Sequence, residues 1–487
     1  MRQTYSNQLR MDCLPIEQVA LNFECRDEIV PVLAALQHLY LQIELRNQLT
    51  RLIARDVNET TRRDIGREGF NYWQILVLGV VRLGCNLNYD KLQDLCENHR
   101  ALRSLLGVGD WDPTRFGWRR IRDTLCLLKP ATLETINALI VSDGQSVDGD
   151  ARKQVRADSF VVETNIHYPT ESSLIWDGIR KLLPVSYKLA LSLGLEGWRQ
   201  MSHQLKQIKR QVREIARLSA SDSPAVQAQV YPAYGVLLRR VGSLLDRVRD
   251  LKKAAQSSTL DLTQAGWLDQ LNHWYELTSK VIDTAFRRTQ LRETVPNEDK
   301  IFSIFEPHTQ LYRRGKAGEP NQFGRLVMLY QDAAGFISHY YMMGRNELDA
   351  EVVVEQTRIA QRKHGGEIED ASFDRGYFSP DNQTELEAIV DHPCLPPRHR
   401  NAYAQWLREA SVRMHDSRKR HSGIESAIGA FQSGNGMKRC RDRTEIGLQR
   451  YLGLAVLGRN IHVLGKLLIA QANTEAEASR TKRKKAG

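Results

Sequence analysis

The chain has no CxxC pair and no Cys/His spacing of the zinc-ligating kind, and its 7 cysteines, at 13, 25, 85, 96, 126, 394 and 440, are odd in number. That argues against both a disulfide framework and a structural zinc, and the cysteines read as reduced thiols, most of them buried. There is no GxxxxGK(S/T), no GxGxxG after a strand and no HExxH, which removes the usual supports for nucleotide hydrolysis, dinucleotide binding and zinc-dependent hydrolysis. No repeat of fixed period is visible, so a solenoid is not expected. The opening stretch MRQTYSNQLRMDCLP has no apolar core of the signal-peptide type, and a cytoplasmic location is expected. The most apolar late segment, 446–470, carries Arg450, Arg459, His462 and Lys466 and is expected to be a buried helix rather than a membrane span.

What is present is length and positive charge. The 487 residues suggest two to four domains with ample core. Lys and Arg number 69 against 58 Asp and Glu, a net +11 with a pI near 9.3. A surface of that kind attracts polyanions, nucleic acid first among them.

Residues 1–145 read as an all-α N-terminal domain. Asp27 to Arg55 is one long amphipathic pattern and Tyr72 to Leu83 an apolar one; shorter helices are expected over Asn88 to Asn98, Arg100 to Leu106 and Thr114 to Leu128. The turn-like GVGDWDP between the last two suits a helix-turn-helix-like unit. Its final helix carries Arg115, Arg119, Arg120 and Arg122 beside Trp118, a mixture suited to lying against DNA phosphates. Residues 146–172 change texture: Val155 to Ile166 is rich in β-branched residues over a strand-sized length. Residues 173–300 return to helical periodicity with many Lys and Arg, a helical insertion. Residues 301–472 then alternate. Strands are expected at 301–305, 324–331 and 335–342, the last two joined as a hairpin, and at 367–373; helices are expected at 348–364, 384–389 and from Asn401 onward. Residues 473–487, ending TKRKKAG, read as a disordered basic tail.

Three acids lie where such elements can bring them together: Asp158 in the first strand, Asp374 at the end of a later strand, and Glu425 in a helix. Cutting a phosphodiester requires an activated oxygen nucleophile, a stabilised leaving oxygen and a neutralised phosphate, which two Mg²⁺ ions held by a few carboxylates supply. Helical spacing sets His421 and Gly429 on the same face as Glu425. Downstream, GNGMKRCRDR offers Lys438, Arg439, Arg441 and Arg443 as a phosphate clamp.

Three blocks, DSFVVETNIHYPTESSLIWD, SFDRGYFSPDN and RKRHSGIESAIGAFQSGNGMKRCRDR, closely resemble the acidic blocks of DDE transposases from bacterial insertion sequences. The nearest branch is the loosely classified ISNCY-like set, related to those with a Tyr/Arg/Glu/Lys signature. The resemblance covers about 147–470. It implies an α/β ribonuclease H-like catalytic core, a mixed sheet flanked by helices, with the first Asp on its first strand, the second after its fourth and the Glu on a following helix. It further implies that Asp158, Asp374 and Glu425 are catalytic and bind Mg²⁺, with Mn²⁺ as a substitute. The partners implied are double-stranded DNA, both element ends and target, and a second copy of the chain, giving a dimer or higher multimer on nucleoid DNA with no nucleotide cofactor. His421 stands where the signature has Arg and Gln432 where it has Lys, so His421, Lys438 and Arg439 are the auxiliary candidates. The alternatives are a catalytically inactive or repurposed DNA-binding derivative, and a nuclease on the same core that cuts without joining.

Overall fold

The computed structural model describes residues 13–60, 69–313 and 320–486, so most of the stretch read for a signal peptide lies outside the described residues. In chain order the elements are α1 (Ile29–Leu41), α2 (Ile43–Thr60), α3 (Tyr72–Gly84), α4 (Tyr89–Asn98), α5 (Arg100–Leu105), α6 (Trp118–Leu125), α7 (Pro130–Val147) and β1 (Gln154–Glu163). Next come α8 (Glu171–Ser192), α9 (Met201–Ser219), α10 (Pro224–Gln227), α11 (Val230–Gln256), α12 (Leu262–Thr289), β2 (Gln310–Tyr312), β3 (Gln322–Asp332) and β4 (Ile337–Met342). The chain continues with α13 (Asp349–Lys363), β5 (Asp370–Ser372), α14 (Pro380–Glu387), β6 (His392–Cys394), α15 (Arg400–Glu409), α16 (Val412–His421), α17 (Gly423–Gly434) and α18 (Glu445–Ala486). It is a mixed α/β chain, mostly helical, with two compact units: Met1–Glu163 with Leu326–Gly487, and Thr164–Arg325.

The first unit is built on α18. One core joins the apolar faces of α1, α3 and α7 to Leu452, Val456, Leu457 and Leu464 of this helix, and reaches Phe160 and Val162 of β1 and Val327 and Leu329 of β3. The N-terminal helices therefore share a core with the sheet instead of forming the separate domain expected. Two glycines allow the close approach: a Cβ on Gly458 would lie 2.4 Å from the Gly84 nitrogen, and one on Gly465 would overlap the Pro31 carbonyl. Several polar groups inside this core are paired, which offsets part of the cost of burying them. Arg82 is fully buried and forms a two-nitrogen pair with Asp442 (2.6 and 3.2 Å), its guanidinium 4.0 Å from the Tyr89 ring centre. Asn460 binds both backbone groups of Ile337 and so pins β4 to α18. The apolar length of α18 would suffice to cross a membrane, but most of it is buried in this core.

The sheet runs β2-β3-β1-β5-β6, with β4 also on β3. Parallel pairing joins β1 to β5 and β5 to β6, whereas β3 pairs antiparallel with β4 through the expected hairpin. Asp332 closes that turn by accepting from the Gly335 and Phe336 N–H groups, and Gly335 takes the positive φ (97°) the turn needs. The second unit is the helical insertion, with cores formed by α8, α9, α11 and α12. Trp198, Trp267 and Trp274 pack against those cores, as their Leu-rich surroundings suggest.

Four expectations are corrected. The long helix over 27–55 is two helices, because Gln42 leaves helical geometry (ψ 89°) while its side chain binds Asp143 and His38. The segment 301–305 is not a strand; Ile304 is buried, and Ile301 and Phe305 pack against the helical core of the second unit. The insertion extends over Thr164–Arg325, wider than 173–300. The tail from 473 is helical to Ala486 rather than disordered, in keeping with a stretch rich in Ala, Glu, Lys and Arg that holds neither Gly nor Pro before Gly487.

Candidate functional site

Strand β1 sets the geometry. Its ladder with β5 pairs Gln154 with Asp370, Val155 with Ala371 and Arg156 with Ser372. Asp374 keeps extended backbone (φ −81°, ψ 166°), so the same register carried two residues further sets Asp158 beside Asp374. Paired residues on neighbouring strands point to the same face. By that extrapolated register the two aspartates take corresponding positions toward the carboxyl ends of two parallel strands, the edge of an open α/β sheet that receives ligands. Asp158 is half-buried, accepting from the Ser159 N–H at 2.7 Å, and Asp374 is exposed.

Glu425 reaches this face by another route. Alternation along β1 puts Arg156, Asp158 and Phe160 on one side. Arg156 donates to the Arg420 carbonyl at the end of α16 (2.9 Å), and Phe160 meets Phe431 of α17 edge to face (6.1 Å). Asp158 lies between those two contacts on the strand, and Glu425 lies between them on the helices. Ile424, Ile428 and Phe431 face inward, which leaves Glu425 exposed in the first turn of α17.

His421 and Glu425 are not on one helix as expected. α16 ends at His421 and α17 starts at Gly423. At the break Arg156 donates to the Arg420 carbonyl, and a Cβ at 423 would lie 2.3 Å from its Nη1. His421 is buried with Nδ1 3.2 Å from the Ser372 hydroxyl; burial and neighbouring Arg418 press its pKa down to about 4, with Asp374 opposing. The neutral imidazole is favoured near pH 7, which counts against His421 as a stand-in for a cationic arginine.

The cation beside Asp374 is Arg418, at 3.8 Å, with Arg375 next in sequence lying over the Tyr403 ring (3.6 Å). Sequence reading missed Arg418, whose position in RKRH resembles any solvated basic turn. It also missed Asp349, which opens α13; burial, then the Asp349 and Asp158 carboxylates, hold the enclosed Tyr377 phenol well above its usual range. An Asp in a first helical turn ordinarily reads as a dipole partner.

The remaining candidates divide. Arg439 pairs with Glu163 (3.2 Å), and the 438–440 backbone bonds to both sides of Glu163, extending the sheet. Arg441 is committed to Asn86 and the Tyr451 hydroxyl and is a structural pin rather than a phosphate clamp, while Arg443 is exposed. On α6 and just before it, Arg115, Arg119, Arg120 and Arg122 are all exposed; Arg119 lies over Trp118 (4.7 Å), Arg120 over Phe70 (4.2 Å), and Arg122 pairs with Asp123 (2.7 Å).

The donors at the acidic site are carboxylate oxygens, the ligands Mg²⁺ and Mn²⁺ prefer. Among the described residues no three His, Cys, Asp or Glu side chains form a group placed to hold a metal, so Asp158, Asp374 and Glu425 are not gathered into one cluster. Mg²⁺ commonly takes one or two carboxylates and completes its shell with water and phosphate, and the aspartate pair fits that demand. No protein-family model, no curated protein and no solved structure matches the chain.

Proposed function

We propose that the chain is a DDE-type DNA transposase with a ribonuclease H-like core, cutting at the ends of a mobile element and joining the freed 3′-hydroxyls to target DNA. The observation that supports this reading is the parallel β1/β5 register, which, continued two residues past its last pair, gives Asp158 and Asp374 corresponding positions, with α16 and α17 contacting the same strand through Arg156 and Phe160. Within the first unit the strands follow as β1, β3, β4 and β5, so one Asp is on the first, the other directly after the fourth, and the Glu on a later helix. That is the order the three sequence blocks imply.

Asp158 and Asp374, joined by Glu425 when DNA is present, would hold Mg²⁺, which when bound neutralises the phosphate and makes its water acidic. Arg418 and Arg375 orient phosphate oxygens beside Asp374. His421, uncharged, keeps Ser372 and the strand end in place. Arg115, Arg119, Arg120 and Arg122 take phosphates of the DNA ends, and processing two ends calls for at least two copies of the chain.

The test is cleavage of DNA carrying the inverted repeats that flank the gene, in Mg²⁺, with Asp158→Asn, Asp374→Asn and Glu425→Gln. Each variant is expected to bind the ends and to lose cutting by at least about a thousandfold, the scale of removing a principal electrostatic group. Cutting that persists in two of them overturns the assignment. Wild-type chain that cuts without strand-transfer products is a nuclease, and one that binds without cutting is a repurposed DNA-binding protein.

A further inference from the structure

A cavity of about 290 Å³ opens in the second unit, where the start of α8, the end of α12 and strands β2 and β3 meet. Three cations reach it from different segments: Arg288 on α12, Lys300 on the following connection and Arg313 just past β2. Among the described lining residues one is a carboxylate, Glu171, ion-paired with Arg288. Burial first, then the charges of Arg288 and Arg313, hold the Lys300 ammonium below its usual range, so the cations crowd one another. A phosphate monoester carries about −1.5 to −2 at neutral pH and is the kind of group that clustered cationic side chains hold.

The wall also has an aromatic face. Tyr168 is 68% exposed and stands edge-on to Phe323 (5.6 Å between centres, 85°), so most of its ring surface is open at the cavity. An open ring beside clustered cations is the pairing by which proteins hold nucleotides, base on ring and phosphate on cation. The volume is near the lower end for small-molecule sites, about 300 Å³, which suits one nucleotide and excludes a duplex.

We propose that this cavity binds a single nucleotide, its phosphate monoester held by Arg288, Lys300 and Arg313 and its base laid on Tyr168. Two sources share that chemistry, a free nucleotide and the 5′-phosphorylated end of a DNA strand. None of the cavity's residues belongs to the acidic cluster, and the proposal does not rest on cutting.

Full-length protein without Mg²⁺ is titrated calorimetrically with dAMP, deoxyadenosine and inorganic phosphate, and by fluorescence anisotropy with one oligonucleotide bearing either a 5′-phosphate or a 5′-hydroxyl. Binding of dAMP tighter than either fragment is expected, or, if the strand end is the source, tighter binding of the phosphorylated oligonucleotide. Lys300→Glu and Arg313→Glu, and the milder Lys300→Gln, are expected to weaken that binding about tenfold or more at unchanged melting temperature. Tyr168→Ala is expected to weaken nucleotide binding while leaving inorganic phosphate unaffected. The proposal is overturned if dAMP fails to bind and the oligonucleotides are not distinguished, or if the charge-changing variants bind as wild type does.

Discussion

At the scale of single residues, buried titratable groups make folding depend on pH. His421, His339 and His462 are each pressed down to about 4, mainly by burial, from an ordinary value of 6.5. Between those limits the unfolded chain takes up protons that the folded chain refuses, so stability is lost as pH falls from about 6.5 toward 4. Asp332 acts in the opposite sense: burial holds it up to about 6 from 3.8, and it adds stability as pH falls through that range. Three histidines against one aspartate leave net destabilisation in acid. Melting temperature measured across this window should fall, and His421→Asn, whose amide can still meet the Ser372 hydroxyl, should reduce the slope by up to about 1.4 kcal/mol per pH unit. An unchanged slope would mean that His421 is protonated in the folded chain.

At the scale of elements, α18 lies so close to α3 and α1 that only glycine fits at two positions. Gly458→Ala and Gly465→Ala place a methyl group against backbone of the partner helix rather than against a side chain that can move. Each should cost about 3 kcal/mol in urea unfolding, the upper range for overpacking. Gly429→Ala, with open space around its Cβ, serves as the neutral comparison. The same contrast between local and distant causes explains how far the sequence could be read. β1, β3, β4 and α13 were legible because β-branched texture or helical periodicity is a local property. β6 was not, being only His392–Cys394 with a proline inside, and its pairing depends on a parallel neighbour already in place. The break between α16 and α17 was illegible from local periodicity, and the side chain that meets the chain there, Arg156, comes from far earlier in the sequence. Of the site, Asp158, Asp374 and Glu425 could be named from their sequence blocks. Arg418 and Asp349 could not, since each gains its meaning only through a neighbour distant in sequence.

At the scale of the whole molecule, the proposed function together with a net +11 predicts that DNA association depends on salt through release of counterions. Every phosphate that the protein no longer neutralises lowers the slope of log K against log salt by about 0.9. Arg119→Ala with Arg120→Ala, on the exposed side of α6, should therefore reduce the slope measured by anisotropy by about 2 while leaving folding intact. Arg441→Ala should do the reverse, lowering the melting temperature with little change in salt dependence, because its side chain holds Asn86 and Tyr451. The core of the first unit also imposes an order on synthesis. Emerging from the ribosome, α1, α3 and α7, which end at Leu41, Gly84 and Val147, must wait for the rest of the chain up to Glu445 before α18 arrives to cover them, and until then their apolar faces are exposed to aggregation. A message broken shortly before the codons for α18 should thus yield a fragment whose apolar helix faces stay uncovered, so the last helix to be made is the one that closes the core.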